Sequence, residues 1–148
     1  MCLYSKINVP IKLNEDKTCY KVLKCCGQKK DGTILYCTPY YRRGVEESVI
    51  NGDELMVAEG RPMIVYDKNN DVTEISSGFI HTYQTIEEAQ CVVYELSVRN
   101  PYEDIAIFQC SIPKNTEFYS GKIGGANIYT YASPSIRFDK LIKTIKLI

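Results

Sequence analysis

The sequence predicts an α+β fold: a curved, mostly antiparallel split sheet of seven or eight short strands, with one amphipathic helix over 86–98. Three observations carry this. Short β-prone runs separated by Gly, Pro, Asn and Asp recur from residue 17 to the C-terminus. One stretch alone shows helical periodicity behind a capping signal. The 148 residues, with 45% hydrophobic and 24% charged side chains, suit one globular domain rather than a disordered or fibrous chain. No repeat, low-complexity tract or linker divides the chain. Residues 1–148 are therefore expected to form a single domain, with 1–16 an irregular arm interrupted at Pro10.

The elements follow in order. In Lys17-Thr18-Cys19-Tyr20-Lys21-Val22-Leu23-Lys24-Cys25-Cys26 alternate residues fall on opposite faces of a strand. Cys19, Lys21, Leu23 and Cys25 share one face; Tyr20, Val22, Lys24 and Cys26 share the other. Turn chemistry over 27–32 and a second run over 33–37 make this a hairpin. Two short strands fit 54–58 and 63–66, and a turn fits 68–71. A strand over 78–83 precedes Thr85-Ile86-Glu87-Glu88, which has the spacing of a capping box. Ile86, Ala89, Val92 or Val93 and Leu96 then recur at helical spacing until Asn100-Pro101 stops the helix. The mostly apolar run 104–112 reads as a central buried strand. A turn at 113–115, a strand over 116–119, a glycine-rich loop over 121–125 and a strand over 128–131 follow. Ser133-Pro134-Ser135 is a break. The last segment, 136–148, fits either periodicity, and its β-branched content favours a strand.

Composition narrows the function classes. Eighteen basic and eighteen acidic residues cancel, which argues against general nucleic-acid binding, since that draws on a basic excess. The charge is uneven: nine basic against five acidic over 1–50 (+4), three against eleven over 51–104 (−8), and six against two over 105–148 (+4). If the two ends fold together they form a mildly basic face suited to a small anion; otherwise the middle third is simply a solvated acidic surface. No apolar run approaches the ~20 residues needed to span a bilayer, and the start Met1-Cys2-Leu3-Tyr4-Ser5-Lys6 lacks a secretory apolar stretch. A cytoplasmic protein is expected. Its seven cysteines are then expected to be thiols that pack as small apolar groups. No Cys-x-x-Cys pair exists, the adjacent Cys25 and Cys26 point to opposite faces of a strand, and His81 is the single histidine, so no metal site is expected.

Candidate chemistry centres on few residues. His81 is the one side chain that titrates near neutrality without a large shift, and Thr82 and Tyr83 follow it. It is either a sheet histidine or a hydrogen-bond donor to a ribose or carbonyl. Tyr40, Arg42 and Arg43 pair aromatic and guanidinium groups, which suits stacking on a base and holding a phosphate; a plain surface is the alternative. Gly121-Lys122-Ile123-Gly124-Gly125 lacks the spacing of a phosphate loop and leads into a strand.

The run Ser77-Gly78-Phe79-Ile80-His81-Thr82, entering a capped helix and then Ile105-Ala106-Ile107-Phe108-Gln109-Cys110, resembles small bacterial proteins with an ADP-ribosyltransferase-like fold. The block from Cys110 to Gly121, with Tyr131-Ala132-Ser133, resembles small uncharacterised proteins of phages and prophages. Together these cover about 78–133. The resemblance implies a split sheet with a cleft for NAD or a related nucleotide. It also implies a histidine on the nicotinamide ribose (His81), a stacking aromatic (Tyr83 or Tyr119), and a late-strand glutamate stabilising an oxocarbenium-like state (Glu117). One departure stands out. The bacterial proteins carry a histidine after the first-strand tyrosine, whereas here Tyr20 precedes Lys21.

The incomplete catalytic set, the neutral charge and the twelve tyrosines favour a non-enzymatic binding protein. It would be a phage or prophage accessory factor engaging a host protein or a small nucleotide, with no cofactor of its own. The enzyme alternative is an NAD-consuming transferase or glycohydrolase using His81 and Glu117. A further alternative is an assembly protein whose apolar C-terminal segment makes an oligomer contact.

Overall fold

The computed structural model describes residues 3–4, 10–37, 44–46, 55–58, 64–70, 72–75, 78–99, 104–123 and 128–145. In chain order these form β1 (Leu3–Tyr4), β2 (Ile11–Lys12), β3 (Lys17–Gln28), β4 (Ile34–Cys37), β5 (Gly44–Glu46), β6 (Leu55–Val57), β7 (Ile64–Tyr66), β8 (Val72–Ile75), β9 (Ile80–Tyr83), α1 (Ile86–Arg99), β10 (Ile105–Ile112), β11 (Glu117–Ile123), β12 (Tyr129–Ser133) and β13 (Ser135–Ile145). Ten strands succeed one another in the order β6-β13-β10-β3-β9-β12-β11-β1-β8-β7, and β2, β4 and β5 attach beside that path. The α+β class, the antiparallel pairing and the single helix agree with the sequence reading. The count of seven or eight strands is too low. Four strands that the element-by-element reading does not assign (β1, β2, β5 and β8) have only two to four residues each.

The sheet curls without closing. Its two end strands, β6 and β7, are joined by only the six residues 58–63. The covalent chain therefore keeps Val57 and Ile64 within about 25 Å. One face carries Cys19, Leu23, Tyr36, Ile80, Phe108, Cys110, Phe118, Tyr131, Ile136 and Phe138, all buried in one cluster. No helix contributes to that cluster among the described residues, so the curvature of the sheet itself covers this inner face. Register shifts in β10 against β13 at Ile107/Phe108 and at Gln109/Cys110 add local bend. Phe108 sits at the centre, edge-on to Tyr36 at 4.9 Å and to Phe138 at 5.5 Å.

On the outer face α1 covers β3, β9 and β10. Ala89, Val92, Val93 and Leu96 pack on Val22, Tyr83, Ile105 and Ile107. The two faces of β3 are those expected from alternation: Cys19, Leu23 and Cys25 lie inward, and Tyr20 and Val22 lie outward. The β3–β4 turn uses Gly32 at φ 92, with the Asp31 carboxylate accepting from the Thr33 amide at 2.9 Å. The turn before β11 places Asn115 at φ 62, a left-handed position that asparagine tolerates. The C-terminal segment is a strand, as its β-branched content suggested. Gly121 to Ile123, read from sequence as loop, continue β11, because they pair with Thr130, Tyr129 and Leu3.

The cysteines correct an expectation. Cys26 and Cys37 form a disulfide. Cys19, Cys25, Cys91 and Cys110 retain thiols. The bridge joins adjacent strands on the outer face. It was hidden because Cys37 pairs in register with Lys24, while Cys26 occupies a bulge between Cys25 and Gly27.

Candidate functional site

Strand register brings four of the eight sequence-derived candidates, His81, Tyr83, Tyr119 and Glu117, onto one patch of the outer face. Two rows cross β9, β12 and β11: Tyr83–Thr130–Gly121 and His81–Ala132–Tyr119. Directly paired residues point to the same side. Each row spans two inter-strand spacings, about 10 Å. Glu117 lies two residues before Tyr119 and so faces the same side. Phe79, which leads into β9, packs edge-on against Tyr119 with ring centroids 5.8 Å apart. Ala132 and Ile75 are fully buried beneath this aromatic pair.

Access differs sharply within the patch. His81 is 5% exposed and Tyr83 3%; the latter is sealed by α1. Tyr119 and Phe79 are half-buried and Glu117 is exposed. Loss of solvent raises the Tyr119 phenol above its ordinary range, and Tyr66 and Glu117 push it further the same way. Tyr66 is itself 52% exposed. The patch is thus a pair of aromatic rings bordered by a carboxylate and a second phenol, with the imidazole beneath rather than beside the accessible surface.

Thr82 lies on the other side of the sheet. It turns inward next to the Cys19 thiol and is fully buried. Lys21 also points inward, is 9% exposed, and donates from Nζ to the His81 carbonyl at 2.7 Å. The residue that replaces the expected first-strand imidazole is therefore a buried cation that fixes the backbone of the histidine strand. Tyr40, Arg42 and Arg43 lie outside the described residues, as do Gly124 and Gly125.

The N-terminus of α1 joins the patch to the helix. The Thr85 hydroxyl accepts from the Glu88 amide at 3.2 Å and donates to Glu88 Oε1 at 2.9 Å. The second carboxylate oxygen accepts from the Tyr129 amide. This differs from the simple capping box the spacing suggested. Glu88 reaches sideways to β12 instead of back to the Thr85 amide, and so staples the helix to the sheet.

Sequence reasoning missed three participants. Phe79 was read only as part of a strand, yet it partners Tyr119. Thr130 is fully buried and its hydroxyl has no hydrogen-bond partner among the described residues; nothing in its surroundings in sequence marks it. Ser111 donates to Asp139, whose other oxygen accepts from Arg137 Nε at 3.3 Å, and Arg137 reaches Asp16 at 2.9 Å. That chain ties residue 16 to β13. It is a hydroxyl–carboxylate pair without an imidazole to activate the hydroxyl, so it lacks the nucleophile–base arrangement of covalent catalysis.

No group of three or more His, Cys, Asp or Glu among the described residues is placed to hold a metal ion. No helix among them is long and apolar enough to cross a membrane. Comparison with family models, curated proteins and solved structures returns no match.

Proposed function

We propose that this chain is a non-enzymatic binding protein that uses the outer face around Phe79 and Tyr119, consistent with a phage or prophage accessory factor engaging a host protein or a small nucleotide. One observation carries the reading: the Phe79 and Tyr119 rings reach the surface of the patch beside the exposed Glu117, while the single imidazole is 5% exposed. An acid–base catalyst must come within hydrogen-bond reach of the proton it moves. A half-exposed ring pair needs only a flat apolar partner, such as a base or an aromatic side chain. Cytoplasmic placement goes with this reading, in the host cytoplasm if the chain is phage-encoded.

The test is a thermal-shift panel of NAD, ADP-ribose, cyclic nucleotides and nucleoside triphosphates on the wild type and on Tyr119→Ala. A ligand at a hundred times its Kd stabilises by about 2.7 kcal/mol, enough to read as a rise of a few degrees. A rise in the wild type that Tyr119→Ala removes supports the small-ligand form. A flat panel leaves the host-protein form. A rise that Tyr119→Ala leaves intact places the ligand elsewhere and refutes the patch.

A second reading is favoured by His81, Tyr83, Tyr119 and Glu117 sharing one face. It takes the curled, unclosed sheet as the split sheet that the ADP-ribosyltransferase-like resemblance implies, with NAD consumed by His81 and Glu117. Nicotinamide release from NAD, lost in His81→Ala and in Glu117→Gln, is its expected result. No release from the wild type removes it.

A further inference from the structure

The disulfide occupies a particular place in the sheet. Residues Lys17 to Lys24 of β3 pair with β10, and Tyr20 pairs with β9 on the other side. Beyond Lys24 the partner of β3 is β4, over Lys24 to Gln28. Among the described residues β4 pairs only with β3 and β5, and β5 only with β4. Among those residues the β4–β5 pair hangs from the end of β3 as a flap, joined to the ten-strand path through β3. Besides the β3–β4 ladder itself, two features hold it: the inward Tyr36 ring against Phe108 at 4.9 Å, and the Cys26–Cys37 bond at the root.

The two sulfurs are unequal. Cys26 sits in the bulge and is exposed, whereas Cys37 is 6% exposed. An incoming thiolate meets Cys26 first. Cys37 then departs as the thiolate, on the same face as Lys24, its register partner. Cys25 cannot replace the outside reagent, because it packs toward the inner cluster while the bridge lies on the outer face.

We propose that the Cys26–Cys37 bond is a redox latch, opened by a dithiol reductant, that holds the β4–β5 flap over the interior of the sheet. One thiolate of the reductant bonds to the Cys26 sulfur as the Cys26–Cys37 bond breaks. The second thiolate of the reductant then displaces Cys26 and closes the reductant's own disulfide. The two protons from the reductant end on Cys26 and Cys37, so one disulfide is reduced and one dithiol oxidised. Opening frees Ile34 and Tyr36 to leave the inner cluster and gives a partner or ligand a route to Phe108. The strands β10, β3 and β13 remain paired. This inference is independent of the patch around Tyr119.

The experiment is hydrogen–deuterium exchange on the full chain, oxidised and then treated with excess dithiothreitol, after a non-reducing peptide map has located the bond. Reduction is expected to speed exchange over 34–37 and 44–46 by about tenfold or more, with 105–112 and 135–145 unchanged. Cys26→Ser, at an exposed position, is expected to show the reduced pattern without reductant, and Cys25→Ser the oxidised one. Unchanged flap exchange on reduction overturns the proposal. So does equal acceleration of 105–112, failure of Cys26→Ser to fold, or a map showing Cys26 and Cys37 both alkylated before reduction.

Discussion

The Thr85–Glu88–Tyr129 staple allows a prediction with a local readout. Removing the Glu88 carboxylate in Glu88→Ala breaks two contacts at once: the acceptor for the Thr85 hydroxyl and the acceptor for the Tyr129 amide. A hydrogen bond to a charged group is worth about 1.5–3 kcal/mol net, and a first-turn carboxylate adds about 0.3–1 kcal/mol against the helix dipole. The site is exposed, and solvent screening brings the expected loss below the sum of these terms, to about 2 kcal/mol. Glu88→Gln keeps an acceptor oxygen and loses the charge, so its cost falls to about 0.5–1 kcal/mol. Thr85→Ala removes the side chain that accepts from the Glu88 amide and costs about 1 kcal/mol. Because the two side chains touch, the double variant should fall short of the sum. Urea unfolding measures the totals. Exchange of the Tyr129 amide isolates the sideways bond: Glu88→Ala should accelerate it and Thr85→Ala should not. A Tyr129 amide equally protected in Glu88→Ala would refute the staple, whatever the global stability did.

Two further predictions follow from the inner cluster. Phe108→Ala, at a fully buried ring with two edge-on aromatic partners, should cost about 3–5 kcal/mol by urea unfolding; a loss under about 1 kcal/mol would mean that the curl does not close over this ring. Burial pushes the Cys19 thiol up to about 12, from 9.0 when unfolded. The stability this contributes is complete below the unfolded value and is lost as pH rises from there toward the folded one, because the unfolded chain releases the proton first. Cys19→Ala should therefore flatten the fall in stability above pH 9.0. Equal alkaline losses in the two proteins would contradict the buried, protonated thiol.

What the sequence made legible follows physical periodicity. The faces of β3 were readable because inner and outer surfaces are both apolar but made by alternate residues, so alternation survives even with Lys21 among the inward set. The helix was readable because Thr85 and Glu88 mark its start and Ala89, Val92, Val93 and Leu96 recur on one side. The strands β1, β2, β5 and β8 were not, and neither was the disulfide. Cys26 and Cys37 meet across the β3–β4 pair at a bulge, and nothing in Cys25-Cys26-Gly27 says which residue will be displaced. The site was half legible. Alternation places His81 and Tyr83 on one face and Thr82 on the other, but only the pairing of β12 with both β9 and β11 brings Tyr119 and Glu117 to that same face.

That pairing also decides how the histidine strand serves the patch. β9 is clamped from three directions: Lys21 holds the His81 carbonyl from within, α1 covers Tyr83 from without, and the Tyr83 row passes through Thr130, whose neighbour Tyr129 is held by Glu88. A strand fixed this firmly cannot lift its imidazole to the surface without losing several of these contacts together. Phe79 sits just before the clamped strand, next to Gly78 at φ 81, and lies outside its ladder. The rigid part of the site thus sets the position of the Phe79 ring, and β11 sets that of Tyr119. Recognition by two aromatic side chains fixed from separate strands needs no titrating group, which is why the buried histidine and the accessible rings support binding over catalysis.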